Sequence, residues 1–145
     1  PLQRLVTYRL LRLNAKLSAQ AARILKKTSG LSVTQWRILV ILDANSEATL
    51  ADIARTTAMD KAQLSRAIKA MLADGLLAAR RSESDHRVQL LTITETGRAR
   101  YDLARPAMRA RQNMLTRSLD AAEHEALLVA FDKLEAASEA LEPRR

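Results

Sequence analysis

A charged stretch between two apolar runs is the feature of this sequence that most limits its possible folds. The charged stretch covers residues 80–87, and the apolar runs cover residues 76–79 and 88–93. Short apolar runs on either side of a polar loop are typical of a two-stranded hairpin. We therefore predict a hairpin whose tip carries arginines and can reach a groove of duplex DNA.

The remainder of the chain is predicted to be helical. Its 145 residues include only 3 Gly and 3 Pro, 3% are aromatic, and 48% are hydrophobic. This composition favours helices, and the length suits one compact domain or a small domain with helical extensions. The predicted class is mainly α with a short β-hairpin.

The charge of the chain suits a polyanionic partner. There are 24 Lys and Arg against 16 Asp and Glu, which gives a formal net charge of +8. Charge alone does not separate nucleic-acid-binding proteins from other basic proteins. The sequence has no Cys, which excludes disulfides and thiol-based sensing, and no apolar run of membrane-spanning length. We expect a cytoplasmic protein without a membrane partner.

Residue periodicity divides the chain into helices on both sides of the hairpin. Apolar residues recur at helical spacing over residues 2–30, and two later segments begin with a potential capping box, Ser32 with Gln35 and Asp120 with Glu123. Thr49, with Asp52 three residues later, is a further predicted helix start. We expect the helix after Ser32 to end near residues 44–45 and the helix after Thr49 to be followed by a turn at residues 56–59.

Another helix is expected directly after that turn, as in a helix-turn-helix. Asp60, with Gln63 three residues later, is its predicted cap, and Gly75 is its predicted end. Its apolar stripe consists of Leu64, Ile68, Met71 and Leu72. The opposite face is polar and basic, and in a helix-turn-helix such a face reads base edges in the major groove.

Side-chain chemistry suggests a role for each residue of this face. Gln63 can bind adenine through two hydrogen bonds, Arg66 can pair with guanine, and Ser65 can take either part. Lys61 and Lys69 can hold phosphates. The segment alone fits an ordinary amphipathic helical hairpin equally well, because helix-turn-helix patterns are degenerate.

The hairpin tip is a second candidate DNA-binding surface, with Arg81, Ser84, Asp85 and Arg87 as its candidate residues. Arg87 is the first candidate for the minor groove, where negative potential attracts a guanidinium. Asp85 lies two residues away on the same side of an extended segment and can orient Arg87 through a charge-assisted bond. The alternative is a surface ion pair without a further role.

Two long helices are predicted after the hairpin. Thr94 begins the first, and Pro106 in its interior removes a backbone donor, so we expect a kink there or two separate segments. The second follows Asp120. Residues 1–30 carry seven basic and no acidic residues, whereas residues 120–142 carry seven acids and one lysine. The terminal helices are thus matched for packing together, unless both faces are simply solvated.

The residues at and after the hairpin tip match the wing of a known family. They are Asp85, Arg87, Leu91, Ile93, Thr94 and Gly97. In this order they resemble the wing signature of the MarR family of bacterial transcription regulators, and the order of the predicted helices is similar as well.

The resemblance implies a fold and a function. It implies a winged helix-turn-helix domain at residues 31–96, flanked by dimerization helices at residues 1–30 and 97–145. The recognition helix would include residues 60–69, and a homodimer would bind a pseudo-palindromic duplex operator. It further implies a repressor that is relieved by a small phenolic or aromatic-acid effector.

An effector site is predicted from apolar residues with one cation. The candidates are Tyr8, Arg12, Trp36, Met59, Met71 and Met108. This combination suits an aromatic carboxylate. The alternative is that the Met and Trp side chains belong to the core.

Catalytic and metal sites are not predicted. His86 and His124 are the only histidines and lack metal-ligand spacing, and no phosphate loop or nucleophile motif occurs. We therefore expect no enzyme activity and no cofactor. Two rival functions stay open: a protein-interaction module that uses the basic helical face, and a ligand carrier without specific DNA binding.

Overall fold

Six helices and one hairpin make up the computed structural model, which describes residues 1–143. A short 3-10 turn, Leu2–Arg4, precedes α1 (Val6–Thr28), α2 (Val33–Asn45), α3 (Leu50–Thr57) and α4 (Lys61–Ala73). The hairpin strands β1 (Leu77–Arg81) and β2 (Gln89–Ile93) follow, and then α5 (Glu95–Arg117) and α6 (Ala121–Ala140). The predicted class, mainly α with a β-hairpin, is confirmed.

Capping boxes form at Ser32, Thr49 and Asp120, before α2, α3 and α6. In each, the cap side chain accepts from the backbone N–H three residues later, and the side chain there accepts from the cap N–H, at 2.8 to 3.1 Å. Asp60 caps α4 by accepting from the N–H of Gln63 at 3.0 Å. Such a cap satisfies a donor that the helix leaves unpaired and stabilises it by about 1 kcal/mol. The starts of α2, α3, α4 and α6 are therefore set locally.

The turn between α3 and α4 is shorter than the sequence predicted. The hydroxyls of Thr56 and Thr57 donate to the carbonyls of Asp52 and Ile53 at 2.9 and 2.8 Å. Both threonines therefore belong to the last turn of α3, and Ala58, with φ 54°, reverses the chain.

The hairpin loop is also shorter than predicted. Arg80 and Arg81 are part of β1, where they pair with Leu90 and Gln89 in the antiparallel register. The loop is therefore residues 82–88. On the outer side of β2, Ala48 forms an isolated antiparallel bridge with Leu91.

Pro106 lies inside α5, which is one helix from Glu95 to Arg117 rather than two segments. Its first turn begins as predicted at Thr94, whose hydroxyl accepts from the N–H of Gly97 at 3.0 Å. A side chain at Gly97 would collide with the backbone carbonyl of Leu76, so this position requires glycine for close approach.

One core cluster joins α2, α3, α4 and the hairpin. Its fully buried side chains include Ile38, Leu39, Leu42, Ile53, Leu64, Met71 and Leu91. Burial of a leucine or isoleucine contributes about 2 kcal/mol, more than one cap. The orientation of α4 is therefore fixed by its apolar stripe, and its opposite face is left to solvent.

A second, smaller cluster packs α1 against α5. It contains Ala21 and Leu25 from α1 with Ala104 and Met108 from α5, and Trp36 packs against both clusters. The first compact unit of the chain, Pro1–Met108, contains both clusters. The second unit, Arg109–Arg145, contains the end of α5 and all of α6.

Candidate nucleic-acid interface

The polar face of α4 is exposed along its first nine residues. Lys61, Gln63, Arg66 and Lys69 are all exposed, and Ser65 is half-buried. The buried stripe on the opposite face holds them in place. Because α4 has 13 residues, it is about 20 Å long and can lie along a major groove.

The tip of the hairpin presents one arginine in a defined orientation. Asp85 accepts from the backbone N–H of Arg87 at 3.1 Å, and from its guanidinium at 3.1 Å (Nε) and 3.3 Å (Nη2). The side chain of Arg87 is nevertheless 91% exposed. These bonds, the guanidinium contribution first, hold the pKa of the Asp85 carboxyl below its ordinary value. The predicted orienting contact is therefore present, and the guanidinium stays accessible.

The other two predicted tip residues shape the loop. Arg81 donates from Nη1 to the carbonyl of His86 at 2.6 Å, across the open end of the hairpin. The hydroxyls of Ser82 and Ser84 are 3.0 Å apart, within hydrogen-bonding distance. Arg81 and Ser84 thus bond within the hairpin, while both remain exposed.

Positive charge on this module is unevenly available. Three arginines form ion pairs with carboxylates: Arg55 with Asp52, Arg80 with Glu47, and Arg87 with Asp85. Within the described chain, Lys61, Arg66 and Lys69 of α4 take part in no ion pair. The strongest attraction for a polyanion is therefore expected along α4.

Comparison with known proteins finds similarity to one family of transcription regulators. A family model described as MarR family matches residues 29–88, from the end of α1 through the hairpin loop. The chain is 32% identical over 90 residues to the HTH-type transcriptional repressor IacR of Pseudomonas putida. The aligned segment covers 62% of this chain and 53% of that protein. A crystal structure of a MarR family transcriptional regulator from Silicibacter pomeroyi is 25% identical, with a TM-score of 0.80, and covers 100% of this chain and 95% of that one.

The chain thus has a MarR-type region over residues 29–88, and its fold is similar to that of MarR family regulators. A further structural likeness is to BpsR of Bordetella bronchiseptica, whose structure concerns regulation of its DNA binding by 6-hydroxynicotinic acid. That chain is 25% identical, has a TM-score of 0.67, and the match covers 88% of this chain and 98% of that one. The matched part of the chain spans about half the length of its curated relatives. These relatives are described as transcriptional regulators.

The predicted effector residues lie in different places. Met71 is buried in the first core cluster and Met108 in the second, while Trp36 packs against both. Tyr8 is half-buried and Arg12 exposed on the first half of α1, and Met59 is half-buried in the turn before α4. Of the six, only Trp36 thus connects the two clusters.

A polar group beside Trp36 was missed by the sequence analysis. Tyr101 stacks on Trp36 with ring centroids 4.9 Å apart. Asp43 accepts from Arg98 at 2.5 Å and from the Tyr101 hydroxyl at 3.1 Å. Its partners lie 55 and 58 residues away, so no local pattern signals them. These contacts tie the end of α2 to the start of α5.

The pKa shifts of Asp43 and Tyr101 are consistent with these hydrogen bonds. The hydrogen bond from Arg98 is the main cause that holds the pKa of Asp43 below its ordinary value. Burial, together with the nearby Asp43 charge, raises the pKa of Tyr101. At neutral pH the carboxylate is therefore charged and the phenol neutral, as both bonds require.

Neither a membrane-spanning helix nor a metal-binding cluster occurs within residues 1–143. No helix in this range is long and apolar enough to cross a membrane. No group of three His, Asp or Glu side chains within it is arranged to hold a metal ion.

Proposed function

We propose that this chain is a homodimeric transcription regulator that binds a pseudo-palindromic duplex site. One observation carries the proposal: the same hydrophobic core holds a helix with an exposed basic face and a hairpin that presents an oriented arginine. Neither rival function accounts for Arg87, whose guanidinium is oriented yet exposed at the tip of the hairpin.

The first half of α4 would read bases in the major groove. Gln63, Ser65 and Arg66 carry the donors and acceptors that distinguish base pairs there. Lys61 and Lys69 would bind phosphates and so fix the register of the helix.

The hairpin would act as the wing. Its loop would enter the adjacent minor groove with Arg87 leading, and a guanidinium is favoured there because the narrow groove concentrates negative potential. Arg81, Ser84 and Asp85 would shape the loop or bind the neighbouring backbone. The relative BpsR, whose DNA binding is regulated, supports a DNA-binding role for the fold.

Exposed apolar residues support the dimer. Leu5 at the cap of α1 and Val6, Leu10 and Leu13 within α1 are 40–52% exposed, and on α6 Leu127, Leu128 and Leu134 are 40–45% exposed. Large apolar side chains exposed in this number support an interface with another chain. We assign residues 1–30 and 97–145 to dimerization and residues 31–96 to DNA binding, and we place the protein in the cytoplasm because its partner is DNA.

Repression and its relief by a small ligand are the finer part of the proposal. IacR is described as a repressor, and the ligand of BpsR, 6-hydroxynicotinic acid, is an aromatic acid. An effector of that chemistry could act near Trp36, where the winged module meets α1 and α5. Tyr8, Arg12, Met59, Met71 and Met108 remain candidates for this site.

Selection from a random duplex library at controlled salt tests the function. We expect recovery of an inverted repeat whose half-sites are about one helical turn apart, as two symmetric recognition helices require. Weak binding without sequence preference would contradict the proposal and favour the ligand-carrier or protein-interaction alternatives. Titration of the complex with aromatic acids then tests the effector.

A further inference from the structure

The hairpin is tied to the rest of the winged module at two neighbouring residues of the α2–α3 connection. Ala48 exchanges two backbone hydrogen bonds with Leu91 of β2, at 2.8 and 3.2 Å, and both residues are buried. Glu47 accepts a bond from Nη2 of Arg80 in β1 at 2.7 Å. The hydrogen bonds described for residues 82–88 all stay within the hairpin.

The ion pair crosses the sheet obliquely. β2 lies between Ala48 and β1, so the Glu47 and Arg80 side chains must meet across β2. Arg80 is opposite Leu90, one position nearer the hairpin tip than Leu91. The buried core residues and the Ala48 bridge hold the hairpin at its base, whereas the Glu47–Arg80 pair is a further tie one position nearer the tip and opposes tilting of the loop end.

The backbone before Glu47 adopts a rare turn. Ser46 has φ 65° and ψ −47°, and the N–H of Glu47 donates to the carbonyl of Asn45 at 2.7 Å. This is the geometry of the strained classic γ-turn, which persists only where its surroundings hold it. Here Asn45 is held on one side by its side-chain bond to the carbonyl of Ile41, and Ala48 on the other by the bridge to Leu91. The turn delivers Glu47 to the edge of the sheet.

Adjacent arginines of β1 make different contacts. Successive side chains of a strand point to opposite faces, and Arg81 bonds forward to the loop while Arg80 bonds back to Glu47. Arg80 is therefore engaged with the module rather than presented at the tip.

We propose that Glu47 is a positioning residue for DNA binding. Through Arg80 it sets the angle of the wing, so that Arg87 reaches the minor groove while α4 lies in the major groove. This inference rests on the proposed function of the module. The side chains of Arg80 and Glu47 are 53% and 42% exposed, so the pair adds little to stability and its effect belongs in DNA affinity.

The variant Glu47→Gln separates positioning from simple electrostatics by the sign of its effect. Loss of a negative charge beside a polyanion strengthens binding if charge alone matters. If Glu47 positions the wing, affinity for the selected inverted repeat falls by about threefold to tenfold, with an unchanged thermal midpoint. The matched control is Glu83→Gln, which removes an exposed carboxylate of the hairpin loop that takes part in no ion pair of the described chain. The control should bind as tightly as the wild type or slightly more tightly.

Two double variants complete the test. The charge swap Glu47→Arg with Arg80→Glu should recover most of the lost affinity, because it restores the ion pair in reverse. In an Arg87→Ala background, Glu47→Gln should cause no further loss of DNA affinity. The angle of the wing no longer affects binding once its leading arginine is absent. Unchanged or tighter binding by Glu47→Gln, or an equal loss in the Arg87→Ala background, would overturn the positioning role. If the wild-type chain selects no duplex at all, the proposed function fails and the inference fails with it.

Discussion

Arg87 shows how one short contact makes a side chain both ordered and available. Asp85 binds its backbone and its guanidinium, so part of the entropy of ordering the arginine is lost before DNA arrives. The exposed pair contributes little to the stability of the fold, and we therefore expect its main effect on DNA affinity.

Replacement of Arg87 by alanine should weaken operator binding by about tenfold, since a minor-groove guanidinium is lost. The slope of log affinity against log salt concentration should also become shallower by about one, because one cationic contact with the DNA is lost. Fluorescence anisotropy titrations at several salt concentrations measure both quantities. Arg87→Lys is the control, which keeps the charge but loses the two-point contact with Asp85. Unchanged affinity and salt slope for Arg87→Ala would remove the hairpin from the interface.

Arg66 and Lys69 lie on the same face of α4 but should fail differently. Arg66→Ala should lower discrimination between the operator and its single-base variants by about 1–3 kcal/mol at one position, because a guanine contact is lost. Lys69→Ala should weaken binding to all sequences alike. Competition binding against a panel of variant duplexes distinguishes them. A uniform loss for Arg66→Ala would make it a phosphate contact instead.

At the scale of elements, capping determines where a helix begins, and packing determines which of its faces is buried. Capping boxes define where α2, α3 and α6 begin, and their residues are three positions apart, which is why sequence alone predicts them. The apolar stripe of α4 was predictable for the same reason. The loop limits were less so: pairing of Arg80 and Arg81 with β2 extends β1 into a stretch that reads as polar loop.

The tie between α2 and α5 predicts a pH dependence of stability. The pKa of Asp43 is lowered in the folded chain, so its charge stabilises the fold at pH values above the ordinary 3.8. That contribution is lost as the pH falls through the lowered folded-state value. Asp43→Asn should destabilise the protein by about 1 kcal/mol at pH 7, a figure kept small because the carboxylate is partly exposed.

Urea unfolding from pH 7 down to pH 3 measures this effect. The stability difference between wild type and Asp43→Asn should shrink as the solution becomes acidic. Asp74→Asn is the control, because Asp74 is an exposed carboxylate whose side chain makes no hydrogen bond or ion pair in the described chain. A difference that stays constant with pH would show that the charge of Asp43 is not responsible.

At the scale of the whole molecule, the exposed leucines of α1 leave apolar surface in contact with water when the chain is alone. Leu13 is 50% exposed and lies on the predicted apolar stripe. In a symmetric dimer each substitution counts twice, so two lost leucine contacts of about 2 kcal/mol each should raise the dimer Kd by about a thousandfold.

Sedimentation of Leu13→Glu at micromolar concentration tests the assignment. We expect a dimer for the wild type and a monomer for Leu13→Glu, with operator binding weakened because half-sites are no longer linked. Gln20→Glu adds the same charge at an exposed polar position of α1 and should stay dimeric. A dimer that survives Leu13→Glu would place the interface elsewhere.

The sequence by itself determined the elements of this protein and the chemistry of its candidate DNA surface. Caps, apolar stripes and the Asp85–Arg87 contact all depend on residues within one or two turns of each other, so their geometry follows from local order along the chain. Only the tertiary structure decided how the wing and α5 are held. Arg80 meets Glu47 across 33 residues, and Asp43 meets Arg98 across 55. A polar side chain at such a distance finds its partner only after the apolar core has brought the elements together, which no local pattern records.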